Sequence, residues 1–234
     1  MPMTSKGRPV PEGLEEGARF LALRDPGIAR ILGEHGLPRF PRRPAGFGTM
    51  LHIILEQQLS IDIALKLWRR LRQRCRPLTP ANFLELDVAT LKSCGFTRQK
   101  IGYARGLARA IVERRFSPAG LARLDDATAL AAITALKGFG PWSAEVFLLF
   151  ALGRPDVWPA DDLALRIAVQ WLHERPDRPS SRELRTLGEG WRPWRSVAAC
   201  ILWQFYLSRL GRVPPAPPFE FLSARAQRCG SVTT

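Results

Sequence analysis

Asp161 and Asp162 stand side by side after the short segment Val157-Trp158-Pro159-Ala160 and just before an apolar-periodic run, Leu163–Leu172. A carboxylate fixed at a helix start can stabilise developing positive charge or take a proton from an attacking water. Upstream lies Leu136-Lys137-Gly138-Phe139-Gly140-Pro141-Trp142-Ser143-Ala144, which reads as a helix end, a tight glycine turn and a second helix opened by proline. Two glycines around one apolar residue let the backbone reverse sharply and approach a ligand closely. The amides that start the second helix then face outward with the positive end of its dipole, the chemistry of a phosphate cradle. A stretch of 22 positions separates Gly140 from Asp162, room for one helix and a return that brings the carboxylates back toward the turn. Each feature also has a plain structural reading, an ordinary helix hairpin and an N-cap pair.

The elements that must position these groups all read as helices. Leu51, Ile54, Leu55 and then Ile61, Leu65, Trp68 and Leu71 recur at three- and four-residue spacing. Ser60 interrupts them as a cap, so two helices or one bent helix meet near Gln57–Ser60. Thr79-Pro80, Thr97, Ser117-Pro118, Asp126 and Ser181 mark further helix starts, Asp161 or Asp162 caps Leu163–Leu172, and Gly153 and Gly211 mark stops. A long helix is expected from Trp194 to Leu210, and no segment reads convincingly as a strand.

Composition narrows the function. The 234 residues carry 35 Lys+Arg against 21 Asp+Glu, a net charge of +14. Arg69, Arg70, Arg72, Arg74, Lys100, Arg105, Arg109, Arg114 and Arg115 fall within regions that read as folded, so the charge sits on a scaffold, as in duplex-binding proteins. No apolar run is long enough to span a bilayer and Met1–Pro11 lacks the apolar stretch of a signal peptide, so a soluble, cytoplasmic protein is expected. Cys75, Cys94, Cys200 and Cys229 match no zinc spacing and are expected as reduced thiols. His35, His52 and His173 form no ligand pair and read as structural or surface residues.

The glycine turn, the aspartate pair, Ile54-Leu55-Glu56-Gln57-Gln58-Leu59-Ser60 and Trp191-Arg192-Pro193-Trp194-Arg195-Ser196 occur in an order that resembles the helix-hairpin-helix DNA glycosylase superfamily, in its 3-methyladenine DNA glycosylase II branch. The likeness covers roughly Pro44 to Gly211. It implies an all-α, two-lobed fold with the active-site cleft between lobes. It also implies Asp162 as the catalytic carboxylate, Trp142 and Trp203 as aromatic walls of a base pocket, and Gln57 or Gln58 as the wedge that fills the gap left by a flipped base. Lys137, Gly138, Phe139, Gly140, Ser143 and Arg195 are the DNA contacts it implies. No cofactor is required; a structural Na⁺ or K⁺ on the backbone carbonyls of Leu136 and Phe139 is expected at the hairpin. Members that also cut the strand carry a lysine two positions after the second hairpin glycine, and here Trp142 stands there, which cannot form a Schiff base. The four closely spaced cysteines of iron–sulfur members are absent from the C-terminal segment.

The expected organisation is a partly irregular N-terminal segment (1–43), the two-lobed domain (44–211) and a Pro-rich tail (212–234). The expected activity is release of alkylated purines such as 3-methyladenine and 7-methylguanine from double-stranded DNA, by a monomer with no membrane partner and no lyase activity. A glycosylase for hypoxanthine or an oxidised base, and a non-catalytic duplex-binding module, are the alternatives.

Overall fold

The computed structural model describes residues 9–212. Two helices come first, α1 (Leu14–Arg24) and α2 (Pro26–His35). Then follow α3 (Phe47–Glu56), α4 (Ile61–Arg74), α5 (Pro80–Glu85), α6 (Val88–Ser93), α7 (Arg98–Val112) and α8 (Asp126–Thr134). Next is α9 (Pro141–Phe147), which runs on as a π-helical turn over Leu148–Leu152. The order closes with α10 (Leu163–Leu172), α11 (Ser181–Gly188) and α12 (Arg195–Arg209). The fold is all-α. The strand pairing among the described residues is a two-residue ladder, β1 (Pro9–Val10) antiparallel to β2 (Phe40–Pro41).

Local chemistry explains most boundaries. The Ser60 hydroxyl accepts from Ile63 N–H at 3.4 Å, which starts α4 and separates it from α3. Thr79 and Thr97 cap α5 and α7 through Asn82 and Lys100 N–H. Helix α11 starts at Ser181 as expected, capped by Ser180 in a capping box with Glu183. Two expectations are corrected. Asp125, not Asp126, caps α8. Ser117-Pro118 leads only into a 3₁₀ turn at Gly120–Arg123. Residues 14–35, within the segment 1–43 expected to be partly irregular, form α1 and α2. The signal for them was Asp25-Pro26: the Asp25 carboxylate accepts from Gly27 and Ile28 N–H, and Ile28 and Ile31 point into the core. The proline-rich tail and Cys229 lie outside the described residues; Cys75, Cys94 and Cys200 are buried and outside any disulfide.

Helices α3 to α9 pack on one another, as do α1, α2, α10, α11 and α12. The cleft between these two groups is lined by the α3–α4 turn, the α8–α9 hairpin, the start of α10, one face of α12 and residues 40–44. No described helix is long and apolar enough to cross a membrane.

Candidate active site

Asp162 is the N-cap of α10 and accepts from Leu165 N–H at 3.0 Å. The same oxygen, Oδ1, also accepts from Trp203 Nε1–H at 3.1 Å, and Oδ2 accepts from Trp142 Nε1–H at 2.8 Å. Three donors from three elements therefore fix both oxygens of a half-buried carboxylate that faces the cleft. The sequence reading had the two tryptophans as stacking faces; their N–H groups add an orienting role that periodicity cannot reveal. Asp161 is exposed, and its carboxylate faces Arg185 Nη2 at 3.6 Å rather than capping the helix.

The hairpin closes where Phe139 N–H donates to the Leu136 carbonyl at 3.0 Å. Gly138 has φ +94°, and a Cβ there would lie 2.2 Å from the Tyr103 ring, so only glycine fits. Gln57 reaches across from the end of α3, its Nε2 donating to the Gly138 carbonyl (2.8 Å) and the Ser143 hydroxyl (3.1 Å). Lys100 closes the same end of α3 by donating to the Leu55 and Gln57 carbonyls at 2.9 and 2.8 Å. Gln57 is thus a brace between the α3–α4 turn and the hairpin. Gln58 is exposed, lines the cleft and holds φ +58°, a left-handed conformation that costs a non-glycine residue about 1 kcal/mol or more.

Lys137 and Gly140 are exposed at the cleft. Phe139 and Ser143 also line the cleft, and the side chains of three expected DNA contacts are held within the protein. The Phe139 side chain is buried, because an apolar ring at a turn between two helices finds the core. Ser143 is buried with its hydroxyl facing Gln57. Arg195 lies outside the cleft lining and is spent on Asp156 (2.8 Å) and Glu189 (3.1 Å). Lys100 and Arg105, counted as scaffold charge, serve instead as donors to main-chain carbonyls.

Sequence reasoning missed two polar groups, one half-buried in the cleft wall and one buried on α9. Arg43 and Glu56 form a bidentate pair at 3.0 and 2.8 Å, with His52 Nδ1 3.9 Å from Glu56. Burial pulls the His52 pKa down to about 4, so it is neutral at physiological pH. Burial acts to raise Glu56, but Arg43 and His52 outweigh it and hold the carboxyl below its ordinary value. On α9, Glu145 is 5% exposed and its Oε2 has no hydrogen-bond partner; Arg185 Nη1 is 3.6 Å from Oε1. Burial pushes its pKa up to about 7 against the pull of Arg185, with Asp161 adding to the rise.

Glu145 yields a stability prediction. Its folded pKa lies above the unfolded value, so the folded state holds the proton more tightly, and stability is lost as pH rises from about 4.5 to about 7. Glu145→Gln is expected to raise stability by about 1–2 kcal/mol at pH 8, less than the about 3 kcal/mol of the full shift because the amide loses the Arg185 attraction. Thermal unfolding at pH 8 and pH 5 checks this. The gain should fade at pH 5, and an equal gain at both would show that ionisation of Glu145 is not its cause.

Two packed groups of helices, a glycine hairpin and a cap carboxylate held by two indoles together define a helix-hairpin-helix protein with a catalytic-type cleft. Residues 51–193 match the HhH-GPD superfamily of base excision DNA repair proteins, and the chain belongs to that superfamily. It is 27% identical over 181 residues to DNA-3-methyladenine glycosylase 1 of Schizosaccharomyces pombe, covering 76% of this chain and 79% of that one. Likeness to DNA-3-methyladenine glycosylase 2 of Escherichia coli is also 27%, over 70% of this chain and 59% of the relative's length. Among solved structures, the S. pombe 3-methyladenine DNA glycosylase in complex with abasic DNA superposes with a TM-score of 0.76 at 27% identity, covering 81% of this chain and 95% of that one.

Proposed function

We propose that this protein is a monofunctional DNA glycosylase that flips an alkylated purine out of duplex DNA and hydrolyses its N-glycosidic bond, leaving an abasic site. One observation carries the reading: Asp162 sits in the cleft with both oxygens fixed by Trp142 Nε1, Trp203 Nε1 and Leu165 N–H, beside a hairpin shaped to meet phosphate.

The C1′–N bond breaks with its electron pair leaving on the purine, and positive charge develops on the sugar. A fixed carboxylate beside C1′ stabilises that charge in a site poor in water and orients the water that adds to C1′. An alkylated purine is electron-poor, often cationic, and is attracted to indole faces. Its bond is already weak, so one carboxylate and an aromatic pocket suffice. Gln58 is the wedge, since Gln57 is occupied by the hairpin. With Trp142 at the lyase lysine position, no amine is available there to attack the sugar.

Lys137 and the amides that open α9 meet the phosphates. The Leu136 carbonyl keeps a lone pair beyond its bond to Phe139 N–H, and with the Phe139 carbonyl it offers hard oxygen donors suited to Na⁺ or K⁺. An ion held there would add positive charge facing the backbone. The protein acts as a monomer.

Incubation with methylated duplex DNA, followed by assay of free bases and of alkali-labile sites, tests this proposal. Release of 3-methyladenine and 7-methylguanine with strand breaks only after alkali is expected; tight DNA binding without any released base would favour a non-catalytic module. Binding should also weaken with salt by about 0.9 log units per log salt for each phosphate engaged. A flat salt response would remove the basic face as the DNA surface.

A further inference from the structure

The Arg39–Pro44 segment, which the proposed mechanism leaves unused, brings Arg42 and Arg43 to the cleft lining, where Arg42 donates to Glu12 and to the Ala151 and Leu152 carbonyls. Arg43 is pinned twice: its backbone N–H donates to the Phe150 carbonyl at 2.8 Å, and Glu56 holds its guanidinium in a bidentate grip. The guanidinium lies over the Phe150 ring, 5.1 Å from its centre. Phe150 stacks on Trp203 at 5.4 Å and 26°, and Phe40 stands edge-on to both rings. Trp203 in turn donates to Asp162. A continuous wall therefore runs from the carboxylate through Trp203 and Phe150 to Arg43.

Resting on the glycosylase reading above, we infer that Arg43 is a specificity-determining residue that donates a hydrogen bond to an oxo group on the flipped base, favouring 6-oxopurines over 6-aminopurines. A purine with C1′ beside Asp162 and its ring along this wall turns its far edge toward Arg43. Guanidinium has five N–H groups and no acceptor. Two are engaged by Glu56, and no acceptor among the described residues takes the other three. The side chain is 27% exposed, and Arg43 is one of the residues lining the cleft. An O6 acceptor, as in 7-methylguanine or hypoxanthine, satisfies such a donor; the 6-amino group of 3-methyladenine presents donors to a donor. Sites built around a polar contact discriminate strongly against ligands that lack it. Glu56 balances the charge and His52 is neutral, so the cluster offers a donor without adding net positive charge that would repel a cationic base.

Removing Arg43 alone would strand the half-buried Glu56, so the test uses Arg43→Met/Glu56→Met, which deletes the pair together, and Arg43→Lys, which keeps the charge but loses the planar fork. Folding of each is checked by thermal unfolding. Methylated duplex DNA yields 7-methylguanine and 3-methyladenine in one reaction, and the ratio of their single-turnover release rates in variant against wild type cancels their different intrinsic lability. The double variant should lower the oxo-to-amino ratio by about tenfold or more, and Arg43→Lys should shift it the same way by less. Hypoxanthine in a defined oligonucleotide should follow 7-methylguanine. An unchanged ratio, or equal losses for both bases, overturns the inference while leaving the glycosylase reading intact. Failure of the wild type to release any base overturns that reading itself. If the double variant does not fold, an unchanged ratio in Arg43→Lys overturns the inference by itself.

Discussion

Asp162→Asn is expected to lower single-turnover release of an alkylated purine by about 10³-fold or more while leaving DNA affinity equal or higher. The fold should survive, because asparagine caps a helix about as well as aspartate and can still accept from Leu165 N–H. What it loses is the negative charge beside C1′, which acts on the transition state and on no phosphate. Its amide NH₂ also cannot accept from both indoles, so one Nε1–H now faces a donor. Removing a negative charge near the DNA backbone accounts for unchanged or tighter binding. Asp161→Asn is the control: Asp161 is exposed, caps nothing and loses only its ion pair with Arg185, an effect of about 0–1 kcal/mol on stability. Binding and excision measured side by side on folded protein decide the matter. Near-normal excision by Asp162→Asn, or loss confined to Asp161→Asn, would move catalysis away from Asp162.

The second large effect separates the two uses of the indoles. Trp142→Phe combined with Trp203→Phe keeps two aromatic rings but removes two of the three donors that fix Asp162. A hydrogen bond to a charged group is worth roughly 1.5–3 kcal/mol, and a carboxylate free to rotate no longer meets the sugar in one orientation. The double variant should lose about 100-fold in the rate of the chemical step with only a modest change in KM, since the rings remain for stacking. Each single variant should lose less. A result in which KM rises and the chemical rate is retained would make the indoles stacking faces alone.

The site was legible wherever chemistry left a local trace. The Gly138-Phe139-Gly140-Pro141 turn and the Asp161-Asp162 pair are marked by residues that do special things to the backbone, and their spacing allowed one helix and a return. Asp162, Trp142, Trp203 and Gln58 do meet in the cleft. What each side chain touches was not legible. Arg195 and Ser143 are polar and near the motifs, yet side-chain direction depends on neighbours distant in sequence: Asp156 claims the first and Gln57 the second. Phe139 lies between two glycines of an exposed-looking turn but is buried, because the helices on either side close over it. Helices α1 and α2 leave little trace because Gly17, Gly27 and Gly33 dilute their apolar pattern; Gly17 is small where α1 meets Val197 of α12 and Trp194 just before it.

By itself the sequence determined that the chain is helical, where most helices start, and that a hairpin and a carboxylate return to one another, because capping, proline placement and apolar period act over a few residues. Tertiary structure alone decided which aspartate is the cap, that Gln57 braces while Gln58 is free, and that two indole N–H groups converge on one carboxylate. It also decided that Arg43 and Glu56, 13 positions apart, meet as a pair at the end of an aromatic wall. Hydrogen bonds of a few ångströms between elements far apart in the chain are set by how the helices cross, and no residue spacing encodes that crossing.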